Sequence, residues 1–395
     1  MSVADKISGF MEQSSWIRKM FEEGARLKAQ LGPENVYDFS LGNPNLEPPE
    51  EFHRTLKAAV DDLRPGTHAY MPNAGFADTR AAVAEYLSGL HKVAFGAEHV
   101  LMSCGAAGAL NCALKAILNP GDEIATFRPF FVEYTFYVDN HGGKIVTAPV
   151  LPDFSMDLAA LEAQLSPRTA AVLINSPNNP TGKVYIDSDL EALGSLLDRK
   201  NAEFGRTIYL IADEPYRKIV YDGVKVPSPF QHYINSLVVT SYSKDLSLPG
   251  ERIGFLAVHP EADAAKALIG GAVLANRILG FVNAPALMQR VVRHLQGVTV
   301  DISVYQAKRD LLCDGLAEAG YDFHKPEGAF YLFPKSPIPN DVEFVAELQK
   351  QNILAVPGTG FGGPGYFRLA YCVDDATIQR SMPAFKRAMG AFIRR

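Results

Sequence analysis

Between Val100 and Val258 the chain repeats one pattern: a short run of apolar, often β-branched residues, a turn, and then a longer stretch with helical spacing of its apolar positions. Runs this short and this uniformly apolar are buried on both faces when they are strands, which demands helices above and below a mostly parallel sheet. Seven runs fit: Val100–Ser103, Glu123–Thr126, Lys144–Ala148, Ala170–Asn175, Thr207–Ala212, Ser236–Thr240 and Arg252–Val258. Helical patterns lie between several of them, among them Ala106–Leu118 (closed by the NPGD turn, Asn119–Asp122), Asp157–Leu165 and Asp187–Phe204. The pattern predicts an α/β fold with a mostly parallel sheet flanked by helices.

After Phe281 the pattern changes to long helices (Asn283–Leu295, Ile302–Glu318, Asp374–Ile393) and a strand at Ala329–Phe333, which predicts a second, smaller α+β unit. The proline-rich NPNLEPP around Pro44 and the segment Thr67–Gly75 read as linkers and loops. With 395 residues, 47% of them apolar and 21% charged, the chain has the composition of a globular protein of one large or two ordinary domains.

Its 38 basic and 44 acidic side chains leave a net charge of −6, with no basic field for nucleic acid and no polybasic stretch for a lipid surface. Cys104, Cys112, Cys313 and Cys372 form neither a CxxC pair nor a disulfide framework, so a reducing compartment is expected. The first residues carry charges throughout, and no apolar run approaches the length of a membrane span. The expectation is a cytoplasmic protein without nucleic-acid or membrane partners.

Four polar segments each follow a predicted strand. SYSKDLSLPGERIG (Ser241–Gly254) presents Lys244 between Ser243 and Asp245, close to Ser241 and eight residues before Arg252. A lysine amine condenses with carbonyls, and burial beside cations lowers its pKa enough to make it nucleophilic. Two hydroxyls and a guanidinium fork suit a phosphate on the same ligand. Taken alone, though, Lys244 is more simply a solvated loop residue. CGAAGAL (Cys104–Leu110) places backbone N–H groups at a helix N-terminus, where an anion is favoured. A tight turn of small residues explains it equally well, since neither GxGxxG nor GxxxxGK[ST] fits.

ADEPY (Ala212–Tyr216) sets Asp213 and Glu214 after an apolar strand, and a buried carboxylate there needs a cation or donors. A metal is not expected, because no His or Cys cluster and no second acidic cluster accompanies it. NSPNNPTG (Asn175–Gly182) is by itself a turn. All four lie beyond the carboxyl ends of predicted parallel strands, where open α/β sheets bind ligands, so one shared site is the economical reading.

The early LGNP (Leu41–Pro44), NNPTG, ADEPY, SYSKDLSLPGERIG and the late FRLA (Phe367–Ala370), in this order along the chain, resemble the fold type I pyridoxal-phosphate (PLP) enzymes, and among them the class I, aspartate aminotransferase-like aminotransferases. The resemblance covers essentially the whole chain. It implies a large domain around a mostly parallel seven-stranded sheet (49–285), an N-terminal segment (1–48) contributing to the small domain and to dimer contacts, and a small C-terminal domain (286–395). It also implies PLP as cofactor, amino-acid and 2-oxo-acid substrates exchanging an amino group by a ping-pong route, and a homodimer with shared active sites.

Residue by residue, the match makes Lys244 the Schiff-base lysine and proton shuttle, with Asp213 the partner of the pyridine nitrogen. Asn179 and Tyr216 would hydrogen-bond the ring's 3′-oxygen. Phe131 would stack on the ring, with Phe130 and Tyr134 as the alternatives. Ser241, Ser243, Arg252 and the backbone at Ala106 and Ala107 would hold the phosphate, together with Tyr70 (in HAYMP) from the neighbouring subunit. Arg368 would fork the substrate's α-carboxylate, aided by Asn179, and Gly42 would let that carboxylate approach the backbone.

Two departures from the family pattern stand out. Ala106 and Ala107 occupy positions where many relatives carry a hydroxyl, and no residue for a distal substrate carboxylate can be located. A lyase or synthase on the same scaffold, such as a β-C–S lyase, remains the alternative enzyme, because the cofactor chemistry is shared and only the bond aligned with the ring differs. A regulatory protein with an aminotransferase-like sensor domain is disfavoured, because no helix-turn-helix pattern or basic excess precedes LGNP.

Overall fold

The computed structural model describes residues 3–12, 16–62 and 64–393. After a short strand, Tyr37–Asp38 (β1), the chain builds one large sheet from β2 (Val100–Ser103), β3 (Glu123–Arg128), β4 (Lys144–Pro149), β5 (Thr169–Asn175), β6 (Tyr209–Asp213), β7 (Ser236–Ser241) and β8 (Gly254–Val258). These seven strands run in the order β2-β8-β7-β6-β5-β3-β4. The pairs β3–β4, β3–β5, β5–β6 and β6–β7 are parallel, whereas β8 is antiparallel to both β7 and β2.

The reversed strand has a local cause. Parallel neighbours need a crossover of a dozen or more residues, usually helical, while the chain between β7 and β8 contains only a single 3₁₀ turn, Pro249–Glu251. That turn also trims the expected strand: Arg252 adopts φ +50, and β8 begins two residues later at Gly254.

Every residue of β5 and of β8 is buried, because apolar clusters cover both faces of the sheet. Val172, Ile174, Leu210 and Val238 enter one cluster, and Leu173, Ile211, Leu237 and Val239 enter the other. This is the period-2 alternation of a strand between two layers. The helix Gly105–Ile117 packs on the second face and the long helix Asp187–Phe204 on the first, through Ala109, Leu110 and Ala113 and through Leu190, Leu193 and Leu197 respectively.

A third cluster gathers Phe39 with Tyr305, Leu312, Phe330, Phe344, Phe367 and Phe385. It covers a small sheet, β11 (Val356–Pro357) to β12 (Phe367–Ala370) to β9 (Tyr331–Leu332), and the parallel pair of β1 with β10 (Ile353–Leu354). The early chain therefore adds a strand to the late one. The helix Ala286–Val292, which the sequence assigns to the smaller unit, instead packs Met288, Val291 and Val292 into the cluster of the large sheet. Among the described residues, no helix is long and apolar enough to cross a membrane.

Candidate active site

A cavity of about 330 Å³ opens at the carboxyl ends of β5, β6 and β7, between the large sheet and the small one. Twelve of the thirteen residues singled out from sequence line it: Gly42, Ala106, Ala107, Phe131, Asn179, Asp213, Tyr216, Ser241, Ser243, Lys244, Arg252 and Arg368. The thirteenth, Tyr70, is 92% exposed on the outer surface and stays away from the cavity of its own chain.

Lys244 follows directly from β7, and its Nζ donates to the Gly42 carbonyl at 2.8 Å. Burial lowers its pKa to about 8, with Arg368 and Arg252 pushing the same way and the Cys372 thiol opposing. The amine is therefore far more available as a base or nucleophile than an ordinary lysine. Gly42 is required by its neighbour: a Cβ built there would collide with the Tyr331 hydroxyl.

Asp213 ends β6 on the cavity floor. Its Oδ2 accepts from the Tyr134 hydroxyl at 2.5 Å, while its Oδ1 is buried with no partner among the described residues. Desolvation raises the carboxyl pKa to about 7, the Tyr134 hydrogen bond opposes that rise, and the Glu214 carboxylate adds to it. Asn175, at the end of β5, ties two segments together, since its Nδ2 donates to the Asp213 carbonyl at 2.8 Å and its Oδ1 accepts from the Asn179 N–H at 2.7 Å. The NNPTG turn and the ADEPY strand end are thus held in fixed register.

Arg368, on β12, is 2% exposed and stacks over the rings of Tyr331 (4.6 Å) and Phe361 (4.8 Å). One terminal nitrogen donates to Asn179 Oδ1 at 3.1 Å and the other to the Ser40 carbonyl at 2.5 Å, leaving Nε buried without a partner among the described residues. Tyr216 and Tyr331 share a 2.8 Å hydroxyl pair beside it.

At the other end, Gly105 begins its helix with φ +74, and a Cβ there would lie 2.9 Å from Arg252 Nη2. The glycine lets the guanidinium approach a helix N-terminus, where anions bind. Arg252 itself holds a left-handed conformation that costs a residue with a side chain roughly 1–2 kcal/mol.

Of the three aromatic residues left open in RPFFVEY, Phe131 faces the cavity and Tyr134 pins Asp213, while Phe130 packs toward Gly362. Sequence reasoning missed the pairings of Tyr134, Tyr331 and Asn175, and it missed Glu133 and Tyr137 on the cavity wall. Only the RPFFVEY aromatics offered a local signal.

A cavity at the carboxyl ends of a mostly parallel seven-stranded sheet, with a lysine, a floor aspartate and a buried arginine converging on it, is the arrangement of the fold type I PLP-dependent enzymes. Comparison with known proteins narrows the class. The family profile "Aminotransferase class I and II" matches residues 34–385. A probable aspartate/prephenate aminotransferase of Aquifex aeolicus is 32% identical over 373 residues, 90% of this chain and 91% of its own.

Among solved structures, an aminotransferase from Eubacterium rectale superposes with a TM-score of 0.96 at 42% identity, covering 99% of both chains. The aspartate aminotransferase of Thermus thermophilus with maleate gives 0.87 at 26% identity, covering 98% of this chain and all of its own. The chain belongs to the class I and II aminotransferases and is a PLP-dependent aminotransferase.

The residues present fit the cofactor that this family implies. The unpartnered Asp213 Oδ1 suits a cationic ring N–H, and the glycine cradle at Gly105 beside Arg252, Ser241 and Ser243 suits a phosphate.

Proposed function

We propose that this aminotransferase moves an amino group between an L-amino acid and a 2-oxo acid by a ping-pong route, with PLP held by Lys244, Asp213, Asn179, Tyr216, Phe131, Ser241, Ser243, Arg252 and the backbone at Ala106 and Ala107. The observation that carries the reading is the single unpartnered oxygen of buried Asp213, which lines the same cavity as the low-pKa amine of Lys244. Bound there, PLP supplies an aldehyde that takes up an amine and a protonated ring that accepts the electrons left at Cα.

The protein's own part is to place charges and protons. Asp213 would hold a proton on the ring nitrogen, since its hydrogen bond from Tyr134 engages Oδ2 and leaves Oδ1 free for that N–H. Lys244, with a pKa near 8, takes and returns the proton at the substrate Cα near neutral pH. Arg368 forks the substrate's α-carboxylate, and its bonds to Asn179 and Ser40 fix the fork's plane before substrate arrives. Gly42 contributes by staying out of the way of Tyr331.

A cytoplasmic homodimer is part of the proposal. Tyr70 is almost fully exposed, and Leu274 and Ile278, one helical turn apart on the helix that leads into Phe281, are exposed as well. The outward Tyr70, which shares a surface pocket with Met71, Phe281 and Val282, supports a partner subunit whose phosphate site receives it.

The test is direct. Protein mixed with PLP should develop a visible absorbance band, and borohydride should then fix the cofactor's mass on the peptide containing Lys244. An L-amino acid should bleach that band and a 2-oxo acid restore it. Release of pyruvate and ammonia without bleaching would indicate a lyase instead, and a colourless protein would end the proposal.

A further inference from the structure

Once the roles above are assigned, two ionisable groups on the cavity wall remain unused: Glu133 and Tyr137. Glu133 begins the helix Glu133–Asn140 and Tyr137 stands one turn later, so both line the cavity from the same side of the helix as Tyr134. Burial and the neighbouring Glu133 carboxylate push the Tyr137 phenol up to about 12, so it stays neutral. Burial alone raises the pKa of Glu133, with no charged neighbour among the described residues offsetting it.

Leu41 and Leu110, which line the same cavity, are apolar. The three cations that the described residues of this chain bring to the cavity, Lys244, Arg252 and Arg368, are all committed to the cofactor or to the α-carboxylate. Asp213, the other acid, is buried under Tyr134 on the floor.

A substrate fixed by its α-carboxylate at Arg368 and its amine at Lys244 leaves its side chain to meet the cavity residues that hold no other role, Glu133 among them. A carboxylate half-buried among apolar groups is costly unless a cation meets it. A substrate's distal carboxylate would meet like charge there, and a purely aliphatic side chain would leave Glu133 desolvated and unpaired. An aliphatic stem with a cationic end satisfies both the apolar wall and the acid.

We propose that Glu133 selects the amino donor, making this an aminotransferase for L-amino acids whose aliphatic side chain ends in an ammonium or guanidinium group. The inference rests on the aminotransferase reading of the site, and it adds the substrate class.

The holoenzyme is assayed with pyruvate as acceptor and L-ornithine, L-lysine, L-arginine, L-aspartate or L-glutamate as donor. The wild type should favour the cationic donors. Glu133→Gln should cut their kcat/KM by about tenfold to a hundredfold, the range expected for losing a charge-assisted hydrogen bond, and should leave the acidic donors unchanged or improved. Glu133→Asp should retain part of the preference.

Equilibrium binding of α-methylornithine, which has no Cα proton to lose, should weaken in Glu133→Gln by a similar factor, while binding of α-methylaspartate should not. A wild type that favours aspartate or glutamate, or a donor ratio that Glu133→Gln leaves in place, would overturn the assignment while the aminotransferase reading stood. Failure of every donor would bring down both.

Discussion

The Tyr134 hydroxyl donates to Asp213 Oδ2 at 2.5 Å, and the other oxygen of the same carboxylate is buried without a partner. The tyrosine therefore decides which way the aspartate points. Removing its hydroxyl should free Asp213 to rotate and should leave Oδ2 desolvated. A hydrogen bond to a charged group contributes about 1.5–3 kcal/mol, so Tyr134→Phe should weaken PLP binding roughly tenfold to a hundredfold. Quenching of intrinsic fluorescence on PLP titration measures this, and an unchanged dissociation constant would show that Asp213 is aligned by something else.

The same aspartate gives the cofactor-free protein a pH signature. Burial holds the folded pKa near 7, above the ordinary value of 3.8, so between those limits the folded state binds more protons than the unfolded one. Stability at this group therefore falls as pH rises from about 4 to 7, with the full cost present above the folded pKa. A shift of this size corresponds to about 4 kcal/mol at most. Urea unfolding of cofactor-free wild type and Asp213→Asn across that range should show the wild type losing ground to the variant as pH rises. Parallel curves would mean that Asp213 titrates normally.

The strands of the large sheet were legible as short runs rich in apolar and β-branched residues, most clearly in β5 and β8, where every residue is buried, and less so in the edge strand β4, where only Ala148 is. The direction of β8 was not, since it depends on the missing crossover helix after β7 and not on the strand's own composition. The small-domain strand expected over Ala329–Phe333 shrinks to Tyr331–Leu332, because Ala329 takes φ +58, a left-handed conformation no residue pattern announced.

In the site, the polar residues after strand ends were readable from their turns. Tyr134 and Tyr331 were not, because their partners Asp213 and Tyr216 lie 79 and 115 residues away and only the tertiary fold joins them.

Gly42 offers a test of packing at the cavity rim. An added methyl would strike the Tyr331 ring and hydroxyl, which is bonded to Tyr216 and lies beneath Arg368. Overpacking of this kind costs about 1–3 kcal/mol. Gly42→Ala should lower the melting temperature and, by displacing Tyr331 from under the guanidinium, raise KM more than it lowers kcat. A variant with wild-type stability and KM would place the Tyr331 ring elsewhere.

Arg368 holds Asn179 and the Ser40 carbonyl with two nitrogens and keeps Nε unpartnered, a division of labour that needs the planar fork. A lysine at this position has one nitrogen and cannot serve Asn179, Ser40 and an incoming carboxylate in one plane. Its ammonium would also be desolvated beside Lys244, which lowers its charge. Arg368→Lys should therefore reduce kcat/KM for amino acids roughly tenfold to a hundredfold, chiefly through KM, in line with the loss of charge-assisted hydrogen bonds. Reaction with a primary amine lacking the α-carboxylate separates this from a folding defect: such a donor makes no use of the fork, so its slow conversion should be the same in both enzymes. An equal loss with the amine would show that Arg368 supports the cavity and does not bind the carboxylate.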